Sequence, residues 1–277
     1  MLRILSIFLL LITGPARAEV PKVLTDIPAV HSLVAQVMQG VGIPDILLTQ
    51  GSDPHDFQLR PSQARALSQA DFVFWIGPDL TPWLERAIEG IGIKGKSIVL
   101  LDHSDNNTDP HAWLDPQNAI RWLEVIANQL ASLDPENATA YLGNAAAARA
   151  NISEMIIKVR QTLAPSRGTP IIVFHDAYSH FADRFDVNIA GSIRLGDAAS
   201  PGAAHLAQLR SLISEHAIRC AFGEADHDPA LLQTLFQGTG IPVGTLDPIG
   251  TTLNYGPELY NTLIRNLATE IAQCQRE

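Results

Sequence analysis

"DPENATAYLGNAAAARANISEMIIKVRQTLAP", residues 134–165, is the stretch on which the fold turns. Asp134 stands at a cap position and Pro135 in the first turn, a pairing that favours a helix start. Apolar residues then recur at Ala138, Tyr141, Leu142, Ala145, Ile152, Met155, Ile156, Val159 and Leu163, and the pattern stops near Pro165. That is helical spacing held for about eight turns, a rod roughly 40 Å long. Such a rod runs the height of a domain, so it reads as a rigid connector between two lobes. The plainer alternative is a surface helix within one domain.

On each side of this helix, short apolar runs alternate with helical patterns. "KVLTDI", "DILLTQ", "DFVFWIG" and "SIVLLD" read as strands before it; "PIIVFHD", "VNIAGSI", "IRCAFGE" and "PVGTLDP" read as strands after it. Strands alternating with helices predict an α/β fold with mainly parallel sheets, here as two Rossmann-like lobes joined by one long helix. The predicted organisation is a signal peptide over 1–18, an N-terminal lobe over 19–133, the linking helix over 134–164 and a C-terminal lobe over 165–277. No internal repeat of roughly 20 to 50 residues interrupts it.

The chain opens "MLRILSIFLLLITGPARA". A basic Arg3, a short apolar run and an A-x-A site at Ala16–Ala18 make a cleavable secretory signal, too short to span a bilayer. Its removal takes away Arg3 and Arg17 and no acid, moving the formal charge from −10 to −12. So acidic a surface argues against nucleic-acid binding. In an exported protein the two cysteines, Cys220 and Cys274, read as a disulfide stapling a strand to the last helix; two buried free thiols are the alternative.

"DPHAWLDP", residues 109–116, places a histidine and a tryptophan between two Asp-Pro pairs. Prolines stiffen the backbone on both sides of His111. Trp113 is expected to be buried beneath the loop, with Asp109 or Asp115 orienting the second ring nitrogen of His111. His55 follows the strand "DILLTQ", His175 ends "PIIVFHD" and Asp247 ends "PVGTLDP". All four residues lie at or after the carboxyl end of a predicted strand, where open α/β sheets bind ligands. Two come from each half of the chain, so they can meet across a cleft. Three imidazoles and a carboxylate suit a borderline metal ion, Zn²⁺ first, and fill a tetrahedral shell. The alternatives are concrete: His111 merely preceding a helix, His175 satisfied in a core, and Asp247 serving as a turn residue. Of the remaining histidines, His31, His205 and His216 fall on helical patterns and read as surface or half-buried, and His180, on the helix after His175, reads as solvated. His227 is near the cleft, and His103 lies in the acidic loop "DHSDNNTD".

The motifs "DPHAWLDP", "FHDAY" and "GTLDPIG", with "ADFVFWIGPDL", together resemble the periplasmic metal-binding proteins of zinc and manganese ABC importers, the zinc branch most closely. The resemblance runs over about residues 22 to 274. It implies two α/β lobes joined by a long helix, with the metal held between them by His55, His111 and His175. Asp247 matches the acidic position that completes or approaches the shell, where water can stand instead. The Cys220–Cys274 pair resembles a disulfide of some zinc-branch members. Implied partners are an ABC permease and its ATPase, and the implied state is a periplasmic monomer. Two departures matter. The long His-rich loop of many zinc-branch members shrinks here to one histidine, so either the core site suffices or another periplasmic protein delivers the metal. Pro54, directly before His55, replaces a glutamate found in some members.

Carriage of Zn²⁺ with no catalytic residue is therefore the expectation, and release by movement of the His111 loop or of one lobe goes with it. The rivals are the same role for Mn²⁺ or Fe²⁺, a secreted zinc hydrolase with Glu224 as its base, and an adhesive surface protein. Manganese prefers oxygen donors, and the chain has no H-E-x-x-H pattern.

Overall fold

The computed structural model describes residues 19–194, 202–215, 218–225 and 227–274, so the predicted signal peptide and His216 lie outside the described residues. Two four-stranded parallel sheets form the frame. The first holds β1 (Val23–Thr25), β2 (Asp45–Ile46), β3 (Phe72–Trp75) and β4 (Lys96–Val99) in the order β2-β1-β3-β4. The second holds β5 (Pro170–His175), β6 (Asn188–Arg194), β7 (Cys220–Glu224) and β8 (Val243–Leu246) in the order β6-β5-β7-β8. Six strands fall inside predicted apolar runs, while β4 begins one residue before its run and β6 ends one residue after its own. The two orders are equivalent, with the reversal between β1 and β3 in one sheet and between β5 and β7 in the other. Crevices at such reversals, beyond the carboxyl ends of the strands, are where these sheets bind ligands.

The central strands β1, β3, β5 and β7 are buried almost throughout because both faces of each sheet are covered, while the edge strands are partly exposed. Phe72 and Phe74, with Ile171 and Val173, face a core shared by the two lobes. Val73 and Trp75 turn to an outer cluster in the first lobe, and Ile172 and Phe174 to one in the second. Helices α1 (Pro28–Val37), α2 (Pro61–Gln69), α3 (Pro82–Ile91) and α4 (Pro116–Leu133) belong to the first half; α6 (Ser179–Phe185), α7 (Ala203–Glu215), α8 (Ala230–Phe236) and α9 (Leu259–Cys274) belong to the second.

Between the halves runs α5 (Ala138–Leu163), 26 residues and so about 39 Å long. It buries one stripe, Tyr141, Ala145, Ala148, Ile152, Met155, Val159 and Leu163, while Leu142 of the expected pattern points outward, 47% exposed. Its start differs from expectation. Pro135–Asn137 form a single tight 3-10 turn, and the Asp134 carboxylate accepts from Tyr141 Oη (2.9 Å) and Asn137 Nδ2 (2.7 Å) instead of capping the backbone. The stripe of α5 lies in the shared core, so the connector is also the central beam of one continuous apolar interior. α9 returns across both halves. Ser32 of α1 accepts from Tyr260 N and donates to Pro257 O, and the Cys220–Cys274 disulfide ties the end of α9 to β7 with a Cα separation of 6.1 Å.

At the β1–β3 reversal lies Asp26, fully buried. Its two oxygens accept from Ile27 N (2.7 Å) and Ile76 N (2.8 Å), joining the ends of the two strands. Burial pushes its carboxyl up to about 7, against the lowering effect of those backbone donors.

Candidate metal centre

Three of the four expected ligands converge. His55 sits in the loop between β2 and α2, His111 between β4 and α4, and His175 ends β5. One ring nitrogen from each lies within 4.8 Å of the others. His111 and His175 are buried and His55 is half-buried. The cavity between them, walled also by Trp113, Pro248 and Ile249, has a volume of about 20 Å³. That is room for one atom or one water, not for an organic molecule.

The local sequence explains how each imidazole is aimed. His111 Nδ1 lies 2.8 Å from Asp109 Oδ1, which also accepts from His111 N. Burial pushes the Asp109 carboxyl up, but the hydrogen bonds it accepts from His111 and from the Ser179 hydroxyl overcome it and hold the group at about 2. Asp109 is thus an anion and accepts only, so His111 carries its proton on Nδ1. His175 Nδ1 lies 2.7 and 2.8 Å from the two oxygens of Glu224, which also accepts from Tyr178 Oη. A carboxylate there likewise places the His175 proton on Nδ1. The two Nε2 lone pairs then face each other across 3.4 Å. Two acceptors aimed at one point are repulsive by themselves and become favourable around a cation, so the donor set fits a metal ion held by nitrogen. The choice expected between Asp109 and Asp115 falls to Asp109. Asp115 instead caps α4 by accepting from Gln117 N, and takes a two-point ion pair from Arg184, 2.7 Å at each contact.

Asp247 is not among the described residues whose ligand atoms lie within 4.8 Å of one another, a group made of His55, His111 and His175. Asp247 Oδ1 accepts from Gly250 N and Thr251 N, and Oδ2 from Thr252 N and Thr252 Oγ1, at 2.7 to 2.9 Å. The carboxylate clasps its own loop, the turn role set out as its alternative. Gly250 makes the clasp possible, since its φ of +82° is costly for any residue with a side chain.

Two other histidines differ from the reading. His31 is buried, with Nε2 3.2 Å from Pro44 O, and His180 is buried, with Nε2 3.0 Å from Asp109 O. His205 Nε2 is 2.9 Å from Ser192 O, and His103 is exposed in a short turn. His227 does line the metal cavity. Glu224, read from sequence as a tempting base, is committed to His175 and Tyr178. Strand register was the signal for that pairing: Ile171 lies opposite Cys220, so four residues further His175 comes level with Glu224. Ser179 and Arg184, missed altogether, anchor the His111 loop from α6.

Two parallel α/β lobes on one shared core, with a one-atom pocket of imidazoles between them, define a bilobal metal-binding protein. Comparison with known proteins makes this specific. The family model described as zinc-uptake complex component A, periplasmic (ZnuA), matches residues 23–274. The high-affinity zinc uptake system protein ZnuA of Paracoccus denitrificans (strain Pd 1222) is 40% identical over 94% of this chain and 93% of its own length. That of Brucella abortus (strain 2308) is 32% identical over 91% of both. A solved structure described as a 138-173 ZnuA deletion mutant with zinc bound superposes with a TM-score of 0.80 at 25% identity, covering 93% of this chain and 98% of that one. The chain belongs to the ZnuA family.

Proposed function

We propose that this protein is the periplasmic component of a zinc importer, capturing Zn²⁺ between its lobes with His55, His111 and His175 and passing it to an ABC permease driven by its ATPase. The observation that carries the reading is the convergence of three ring nitrogens within 4.8 Å of one another in a pocket one atom wide. Three nitrogens favour Zn²⁺ over Mn²⁺. With Asp247 clasping its own loop, a solvent molecule takes the fourth tetrahedral position in this reading. Asp109 and Glu224, one behind each of two ligands, offset the two positive charges of the ion.

A histidine triad with a solvent ligand is also the form of a catalytic zinc site, so a filled shell no longer separates carriage from hydrolysis. Size and chemistry support carriage instead. A cavity of about 20 Å³ has no place for an acyl or phosphoryl substrate, and Glu224, the residue a hydrolase would need as base, is engaged by His175 and Tyr178.

Zinc titration of the metal-free protein against a competing chelator tests the proposal. One tight site per chain is expected, weakened at least about 100-fold in His55→Ala, His111→Ala and His175→Ala alike, as befits loss of a ligand rather than of its support. Affinity should also fall below about pH 6, where free imidazoles take up protons. An unaffected His55→Ala or His175→Ala variant would refute the ligand set.

A further inference from the structure

His55 and His111 belong to one lobe and His175 to the other, so three ring nitrogens within 4.8 Å of one another require the lobes to be held in register at the cleft. Much of that holding is gathered on one segment. Between β8, which ends at Leu246, and α9, which begins at Leu259, residues 247–258 form no regular element. Pro248 and Ile249, near its start, wall the metal pocket, and residues 248–251 are buried.

The Asp247 carboxylate gives this segment its shape. It draws in the N–H groups of Gly250, Thr251 and Thr252, which leaves carbonyls of the same turn to other donors. Donors from the opposite lobe take them. Trp113 Nε1 donates to Pro248 O at 2.8 Å. Gln50 Nε2 donates to Thr251 O at 2.9 Å and reaches Leu253 O at 3.5 Å. Trp113 follows His111 by two residues and Gln50 precedes His55 by five, so both ligand loops of the first lobe are moored to the same turn. A further mooring comes from α9, where Tyr260 Oη donates to Trp113 O at 2.8 Å. Trp113 and Tyr260 are fully buried, so water cannot replace these partners while the turn stays in place.

The same geometry separates support from ligation. With Thr252 Oγ1 as a fourth donor, the lone-pair positions of the carboxylate are all engaged. An Asp247 oxygen turned toward the ion would undo the clasp and release the carbonyls that hold Trp113 and Gln50.

We propose that Asp247 is a positioning residue for zinc retention: by shaping the 247–253 turn it moors the His55 and His111 loops against His175, and the ion leaves when this turn lets go. The inference rests on the zinc-carrier reading. Its test is stopped-flow release of zinc to excess chelator for the parent, Asp247→Ala, Asp247→Asn, Gln50→Ala and the Asp247→Ala, Gln50→Ala double variant, with amide hydrogen exchange of each metal-free chain. Loss of the clasp should speed release about tenfold. Asn keeps one oxygen for Gly250 N and Thr251 N, so it should fall between the parent and Ala. Gln50→Ala should also speed release, and the double variant no more than Asp247→Ala alone, because both act through one turn. In metal-free Asp247→Ala, exchange should rise over residues 50–56 and 111–115 as well as 250–252. With cobalt(II) in place of zinc, the visible spectrum, which reports the ligands directly, should match the parent in every variant. A changed cobalt spectrum in both Asp247 variants, with Asn as damaging as Ala, would make Asp247 a ligand and overturn the proposal. So would parental release rates, or exchange that rises at 250–252 alone. In each of those cases the parent still binds zinc and the carrier reading stands; a parent that binds none removes the carrier reading, and the retention role with it.

Discussion

At the scale of single residues, the site depends on carboxylates that touch no metal in the proposed shell. Asp109 and Glu224 fix the tautomers of His111 and His175 and so aim two lone pairs at one point. Asp109→Asn and Glu224→Gln keep a hydrogen-bond acceptor and remove a charge. Each should weaken zinc affinity about 10- to 100-fold, measured by chelator competition, while the metal-free fold melts close to the parent. Asp26 makes a different prediction. Its carboxyl is raised to about 7 in the folded state, above the ordinary 3.8. The folded protein thus holds a proton that the unfolded chain releases, and stability falls as pH rises from about 4 to 7. Asp26→Asn leaves one of two buried backbone N–H groups without its acceptor, a cost of about 1–3 kcal/mol. That deficit should be larger at pH 5 than at pH 8, because the parent weakens over that range and the variant does not. Chemical denaturation at the two pH values measures it.

At the scale of elements, the short helix α6 holds the His111 loop. Ser179, His180 and Arg184 stand on its inner face and engage Asp109 and Asp115 of the other lobe. Release of metal by swinging this loop, the expectation from sequence, would break every one of those contacts. Arg184→Ala removes a two-point ion pair whose Asp115 side chain is only 10% exposed. It should cost about 1.5–3 kcal/mol, the range for hydrogen bonds to charged groups, read as a shift in denaturant midpoint at constant slope. The disulfide acts between elements too. It closes a span of 54 residues from β7 to the end of α9, and the chain-entropy estimate for that loop is about 4 kcal/mol. The Cys220→Ala, Cys274→Ala double variant should lose stability of that order in the same denaturation experiment.

At the scale of the molecule, the two sheets share one interior through α5 and α9. A connector with its own solvated surface would let the lobes unfold separately. A beam whose buried stripe belongs to both cores couples them. Calorimetry of the metal-free protein should therefore show one cooperative transition, with calorimetric and van't Hoff enthalpies in agreement. Zinc at about 1,000 times its dissociation constant should add about 4 kcal/mol to stability without a large change of shape. Small-angle scattering of the metal-free and zinc-loaded forms should give the same radius of gyration within error, since the ties across the cleft are already made.

The sequence by itself determined what depends on local order. Eight apolar runs, the long helical stripe and the placing of His55, His111 and His175 at strand ends were legible, because periodicity and strand-end geometry are properties of neighbours in the chain. Tertiary structure alone decided the roles of the acids. Asp109, Asp115, Glu224 and Asp247 are similar letters in similar loops or strand ends, yet one orients His111, one caps a helix and holds an arginine, one backs His175 and one clasps its own turn. A carboxylate takes its role from whichever donors the fold brings within 3 Å of it, and for Glu224 those donors, His175 and Tyr178, lie more than forty residues away.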